Sequence, residues 1–114
     1  MIDIKTIKEG NILVLTVVGD VDASSSIELD TALQSAIESK EEKILVDCKN
    51  LNYISSAGLG VFMSYIQDIK DNNIKLVICD LNDKVYNVFE ILGLHQLLTL
   101  MATNSEAKEY LGEV

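Results

Sequence analysis

Apolar residues in the first third of the chain follow a strand-like spacing and then a helix-like one. Residues 2–7 alternate weakly between apolar and polar side chains, and residues 12–18 form a run rich in β-branched side chains. The polar stretch between them contains Gly10, so this part predicts a β-hairpin. From Ala23 the apolar positions recur every three or four residues, with serines 24–26 as candidate N-caps, which predicts a helix ending near Lys40.

In the rest of the chain, short apolar runs alternate with segments whose apolar residues recur every three or four positions, as on one face of a helix. Strands are predicted at residues 44–48, 76–79 and 97–101, with a polar loop at 49–52 and a closing helix at 105–111. One helical stripe consists of Leu59, Phe62, Met63, Ile66 and Ile69, and the next of Val85, Val88, Phe89 and Leu92. Gly93 can end the latter helix in a left-handed conformation.

Strands and helices therefore alternate after the hairpin, in the order ββαβαβαβα. Short apolar strands between helices are typical of parallel strands covered by helices. The 114 residues correspond to one domain of ordinary size, and 48% of them are hydrophobic, which is enough to form a core. We expect a single α/β domain over residues 1–114, with a mixed, mostly parallel sheet and helices packed on it.

The net charge of the chain and the positions of its two cysteines argue against two classes of function, namely nucleic-acid binding and metal binding. All nine basic residues are lysines against 18 acidic residues, and the net charge of −9 disfavours nucleic-acid binding. No apolar run approaches the roughly 18 residues of a membrane helix, and the start does not resemble a secretory signal, so a cytoplasmic protein is expected. Cys48 and Cys79 sit within apolar runs without a CxxC spacing, which predicts buried free thiols and no metal site.

The sequence contains serine, histidine, aspartate and glycine, but not in the combinations of a common active site. Ser56 does not stand in a Gly-x-Ser-x-Gly turn, and the only imidazole, His95, is predicted to be a partly exposed loop residue. Gly58 and Gly60 lack the remaining residues of a nucleotide-binding loop. Asp47 lies inside a strand and no lysine directly follows residues 100–103, unlike in a phosphoacceptor receiver domain. We predict a non-enzymatic protein with no catalytic residue and no cofactor.

Two adjacent hydroxyls at a predicted helix start are the most informative feature of the sequence. Ser55 or Ser56 can cap the helix by accepting from a free backbone N–H group, and the small residues after them let the helix approach the sheet. Capping explains one serine, but not Gly58 and Gly60, each of which costs a helix about 1 kcal/mol relative to alanine. The turn is therefore a candidate functional surface.

Three separated motifs resemble the STAS domain family, specifically the bacterial anti-sigma-factor antagonists. They are Ser55-Ser56-Ala57-Gly58-Leu59-Gly60, Gly19-Asp20-Val21-Asp22, and Val88-Phe89-Glu90-Ile91-Leu92-Gly93-Leu94. The first is similar to the family signature Asp-Ser-Ser/Thr-Gly-Leu-Gly at a helix start. Together with the element order, the resemblance covers essentially the whole chain.

The resemblance implies partner switching. The unmodified protein would bind an anti-sigma factor that is also a serine kinase and release the sigma factor; phosphorylation of Ser56 would end that binding, and a PP2C-type phosphatase would restore it. The partner-binding residues implied are Asp22, Ser55, Ser56, Ala57, Gly58 and Leu59. The runner-up function within the same fold is a STAS module in another phosphosignalling chain or in a transporter complex.

The chain departs from the family pattern at two positions. Ser55 stands where the family usually has aspartate, and Ala57 where it often has serine or threonine. The alanine removes a competing hydroxyl and leaves Ser56 as the favoured acceptor. Because a phosphate adds about −1.5 to −2 charges and a helix N-terminus tolerates them, modification should spare the fold and remove the partner.

The roles of several neighbouring side chains are predicted from their spacing. Asp22 is either an interface residue or a turn or N-cap residue. Phe62, Met63 and Phe89 are expected in the core, whereas Leu59 is expected at the surface. The last group of candidate contacts consists of the loop residues Leu51 and Tyr53.

Overall fold

A computed structural model describes residues 2–112 and contains six strands and five α-helices among them. The strands are β1 (Ile2–Glu9), β2 (Ile12–Val21), β3 (Lys43–Asp47), β4 (Leu51–Ile54), β5 (Lys75–Cys79) and β6 (Thr99–Met101). The helices are α1 (Ser26–Glu38), α2 (Ser56–Ser64), α3 (Ile66–Asp71), α4 (Asp83–Ile91) and α5 (Asn104–Leu111), with a short 3-10 helix at Leu94–Gln96. No helix within residues 2–112 is long and apolar enough to span a membrane.

The expected mixed, mostly parallel sheet is confirmed, and within residues 2–112 it contains six strands instead of the five that were predicted. β1 pairs antiparallel with β2 through the predicted hairpin, and every other pairing is parallel. The order across the sheet is β1-β2-β3-β5-β6, while β4 pairs with the final residues of β2. Strand β2 thus contacts β3 along its first half and β4 at its end.

Helices cover the two faces of the sheet unequally. The larger core lies under α1, α2 and α4, and includes the contacting rings of Phe62 and Phe89, whose centroids are 5.9 Å apart. The smaller core lies under α5 on the opposite face. Because both faces of β3 and β5 are covered, these strands are apolar at successive positions, for example from Ile44 to Val46. Burial of both free cysteines, Cys48 and Cys79, is confirmed.

The structure corrects several expected elements. The polar segment predicted as a loop contains β4, and the helix after it is interrupted at Tyr65 into α2 and α3. The first helix begins at Ser26 rather than Ala23, and the last strand begins at Thr99 rather than at residue 97. A 3-10 helix that carries half-buried His95 precedes this strand. Gly93 adopts the predicted left-handed conformation, with φ of 74°.

Candidate functional site

Two of the predicted motifs meet at the carboxyl edge of the sheet, where β2 and β4 end side by side. Val21 pairs with Ile54 as the last residue pair of the parallel ladder, and the Ser55 N–H donates to the Val21 carbonyl over 2.7 Å. Asp22 and Ser55 therefore follow neighbouring strand ends. The motif ending at Asp22 and the motif beginning at Ser55 are far apart in the sequence but adjacent in the fold.

Ser55 and Ser56 have different environments at the start of α2. Ser55 is the N-cap residue, and its Oγ accepts from the Gly58 N–H over 3.2 Å. Ser56 is the first helical residue; its side chain is exposed and makes no hydrogen bond to any residue between 2 and 112. Capping is thus assigned to Ser55, which leaves the Ser56 hydroxyl free to react.

Gly58 and Leu59, which the resemblance implies as partner-binding residues, lie beneath this surface. A Cβ at Gly58 would lie 2.7 Å from both Ile54 Cγ1 and Val21 Cγ1, so only glycine lets α2 approach the two strand ends this closely. Leu59 is 2% exposed and belongs to the larger core. The third and fourth positions of α2 face the sheet, which leaves Ser56 and Ala57 at the surface.

Asp22 organises the turn between β2 and α1. Its Oδ1 accepts from the Ser25 N–H over 2.8 Å and from the Ser24 hydroxyl over 2.9 Å, while the Asp22 N–H donates to Ser25 Oγ over 2.8 Å. These bonds, first of all the one from the Ser25 backbone, lower the pKa of Asp22 from 3.8 to about 2. The turn role of Asp22 is confirmed, and its carboxylate is exposed beside the Ser55 turn.

The variant Asp22→Asn is expected to be less stable than the unsubstituted protein at neutral pH, and this difference should shrink in acid. A carboxyl whose pKa is lower in the folded than in the unfolded state stabilises the fold above about pH 4, and this contribution is lost as the pH falls toward 2. Urea unfolding of both proteins at pH 7, 4 and 2.5 measures the difference. A difference in unfolding free energy that stays constant over this range would contradict the assignment.

Several side chains near the serine turn, formed by Ser55 and Ser56, are placed differently from the expectation. Leu51 is 2% exposed and belongs to the larger core, whereas Tyr53 is 53% exposed. Met63, expected in the core, is 50% exposed. It lies on the outer face of α2, seven residues after Ser56, a spacing that returns to the same side of a helix. That spacing was the available signal for an exposed Met63.

Tyr65, the residue between α2 and α3, makes a side-chain contact with α1 that was not predicted from the sequence. The Tyr65 hydroxyl donates to Asp30 Oδ1 over 2.6 Å. Burial, together with this bond and the Asp30 charge, raises the pKa of Tyr65 to about 12, so the hydroxyl keeps its proton at neutral pH. This bond fixes α1 beside the end of α2.

Within residues 2–112, one group of side chains has the ligand types of a metal site. Asp47, Cys79 and Asp80 place one ligand atom each within 4.8 Å of the others. Asp47 already accepts from the Lys49 N–H at 3.0 Å and from Asn104 Nδ2 at 3.4 Å. Burial and the neighbouring carboxylates raise the pKa of the Cys79 thiol to about 12, so this thiol is protonated at neutral pH. The bond from Asn104 links the end of β3 to the start of α5.

Comparison with known proteins gives consistent matches. Residues 3–107 match the family model described as STAS domain. An anti-sigma-B factor antagonist of Listeria monocytogenes is 30% identical over 91 residues, which cover 79% of each chain. The structure of an anti-sigma factor antagonist from Mycobacterium paratuberculosis superposes with a TM-score of 0.89 at 14% identity, over 97% of this chain and 94% of that one. The phosphorylated form of the Bacillus cell fate determinant SpoIIAA superposes with a TM-score of 0.70 at 16% identity, over 96% and 98%.

Proposed function

This chain belongs to the STAS domain family, and from that relationship we propose that it is an anti-sigma-factor antagonist that acts by partner switching. In its unphosphorylated form it binds an anti-sigma factor with serine kinase activity, so that the sigma factor is released. Phosphorylation of Ser56 abolishes this binding, and a PP2C-type phosphatase restores it. The protein acts in the cytoplasm as a single domain over residues 1–114.

The observation that carries this proposal is the difference between two neighbouring hydroxyls. Ser55 uses its oxygen to cap α2, whereas the exposed Ser56 hydroxyl has no partner among residues 2–112. A kinase can therefore modify Ser56 without breaking a contact of the fold. Ser55 also replaces the cap that the family aspartate would provide, since both side chains accept from a backbone N–H at this position.

The charges around Ser56 indicate why a phosphate there would exclude a partner. The chain has no arginine to pair with it, and Asp22 follows the neighbouring strand end. The free N–H groups and dipole of the helix start offset part of the new charge within the domain. The phosphate consequently remains at the surface as added bulk and charge, in the place where a docked protein would lie.

We propose two different roles for the implied partner-binding residues. Asp22, Ser55, Ser56 and Ala57 have side chains at or near the surface and are proposed to contact the partner. The two others, Gly58 and Leu59, are buried and fix the position of α2.

Intact mass spectrometry after incubation with ATP and a serine-kinase-type anti-sigma factor from the same genome tests the proposal. We expect the mass to rise by one phosphate group in the unsubstituted protein and to stay unchanged in Ser56→Ala. Addition of phosphate to both proteins would place the modification elsewhere. Absence of a kinase-type anti-sigma factor that binds the chain would favour the runner-up function, a STAS module in another phosphosignalling chain or a transporter complex.

A further inference from the structure

Strand β1 forms an open edge of the sheet. It stands at one end of the strand order, and within residues 2–112 it pairs with β2 alone. The hairpin closes with Glu9 opposite Ile12 around a two-residue turn in which Gly10 has φ of 59°. The closing pair of such a turn is hydrogen-bonded and bonded pairs alternate along the ladder, so residues 3, 5, 7 and 9 bond to β2. The N–H and C=O groups of residues 2, 4, 6 and 8 therefore point away from the sheet.

These outward backbone groups lie beside an apolar groove. No strand, turn or cap of residues 2–112 bonds to the outward groups of residues 2, 4 and 6. A cavity of about 370 Å³ opens between β1 and α1, and its apolar lining consists of Ile4, Leu13, Ala32 and Ala36. An unpaired strand edge of this kind is a template for a further β-strand.

The charges on β1 favour a second copy of the same strand as the occupant of this edge. Ile4 packs against the larger core, so Asp3 and Lys5 lie on the opposite face, where both are exposed and belong to neither ion pair of residues 2–112. Antiparallel pairing around a two-fold axis at Ile4 places Asp3 of each copy opposite Lys5 of the other. Opposite charges facing each other across two strands stabilise their pairing.

The same register matches the outward backbone groups. Ile4 then faces Ile4 of the second copy, and Ile2 faces Thr6 on either side of the axis. These three residue pairs exchange two hydrogen bonds each, about six in total. All of the groups involved belong to residues 2–6.

The other two-fold registers of β1 are less favourable. An axis at any charged residue from 3 to 8 places that residue opposite its own copy, and an axis at Thr6 places Asp3 opposite Glu9. Like charges that face each other destabilise a strand pair. An axis at Ile7 places Lys5 opposite Glu9, but Glu9 is already held by an ion pair to α5 over 2.7 Å. That axis also leaves only two pairs of outward-facing residues.

We propose that this chain forms a two-fold symmetric homodimer in which the β1 edges of two copies pair antiparallel around Ile4. The sheet continues from one copy into the other, and the two Asp3–Lys5 pairs fix its register. The second copy also borders the groove between β1 and α1. Since the paired strands run in opposite directions, the two serine turns lie at opposite edges of the joined sheet. The dimer forms without a further protein, and it is independent of the proposed function.

Sedimentation equilibrium of the purified protein over a wide range of concentrations tests the dimer. The average mass should rise from 12.6 kDa toward twice that value as the concentration increases. Lys5→Asp should weaken the dimer about tenfold, because a carboxylate then faces Asp3 of the other copy. The double variant Asp3→Lys, Lys5→Asp exchanges the two charges and should restore the dimer, since each lysine again faces an aspartate.

A proline in the edge tests the backbone hydrogen bonds. Thr6→Pro removes an outward N–H that bonds across the axis, and it should abolish the dimer while the hairpin keeps its bonds to β2. Lys8→Pro is the matched control, because it removes an outward N–H beyond the overlap of residues 2–6, and it should dimerise like the unsubstituted protein. Circular dichroism checks that both variants are folded.

Three results would overturn the inference. The first is a monomer at every concentration. The second is a dimer that Lys5→Asp leaves unchanged, or that the double variant does not restore. The third is an equal loss in folded Thr6→Pro and Lys8→Pro, which would place the contact outside residues 2–6.

Discussion

The variant Ser56→Asp is expected to lose binding to the anti-sigma factor by about a hundredfold or more while its melting temperature stays within a few degrees of the unsubstituted protein. The aspartate adds a charge where the exposed hydroxyl makes no contact within residues 2–112, so no packing or hydrogen bond is removed. At the first position of a helix, a carboxylate is favourable for the fold. A loss of about 3 kcal/mol in binding suffices for the predicted effect.

Two control variants test whether the loss of binding comes from a charge at position 56. Ser56→Ala should bind like the unphosphorylated protein and should keep binding when ATP is present. Ser105→Asp adds the same charge to the first turn of α5, on the other face of the sheet, and should leave binding unchanged. Binding by Ser56→Asp at full affinity, or equal losses in Ser56→Asp and Ser105→Asp, would contradict a local effect at the serine turn.

The variant Gly58→Ala is expected to lower the free energy of unfolding by about 1–3 kcal/mol. Its Cβ would stand 2.7 Å from methylene or methyl carbons of Ile54 and Val21, which are both at most 4% exposed. Neither side chain has free space to move into, because both lie in the larger core. The start of α2 must therefore move away from the strand ends, and urea unfolding followed by circular dichroism measures the cost.

The same substitution at Gly60 is the internal comparison for Gly58. Both residues belong to α2, but a Cβ at Gly60 meets no atom within 4 Å. Alanine should therefore destabilise the protein at the first position and stabilise it at the second. Unfolding free energies that change by the same amount at both positions would show that helix propensity dominates and that the close approach at Gly58 has no energetic consequence.

The elements with a clear hydrophobic periodicity were predicted and are confirmed. A short strand and a break within a helix were missed. Strand β4 has only four residues, with Leu51 and Ile54 buried and two exposed residues between them, so it shows no alternation with a period of two. A shift of register in β2 after Gly19 accompanies this pattern. The break at Tyr65 was also invisible, because apolar positions keep their helical spacing on both sides of it.

The motifs predicted which segments lie together at the candidate site, but they did not predict the orientation of single side chains there. Exposure of Ser56 and the adjacency of Asp22 to the serine turn agree with the predictions from the motifs. Leu59 was wrongly expected at the surface and Met63 in the core. Both errors concern the rotation of one helix about its axis, and a nine-residue helix with mostly small or apolar side chains has little amphipathic contrast with which to fix that rotation.

The attachment of β4 to a single neighbour in the sheet bears on where the sheet can open locally. The ladder between β2 and β4 comprises three residue pairs, whereas β2 and β1 share eight. Local opening of a protein begins where the fewest contacts must be broken. The ladder between β2 and β4 therefore opens with fewer broken hydrogen bonds than the hairpin of β1 and β2, which stays paired.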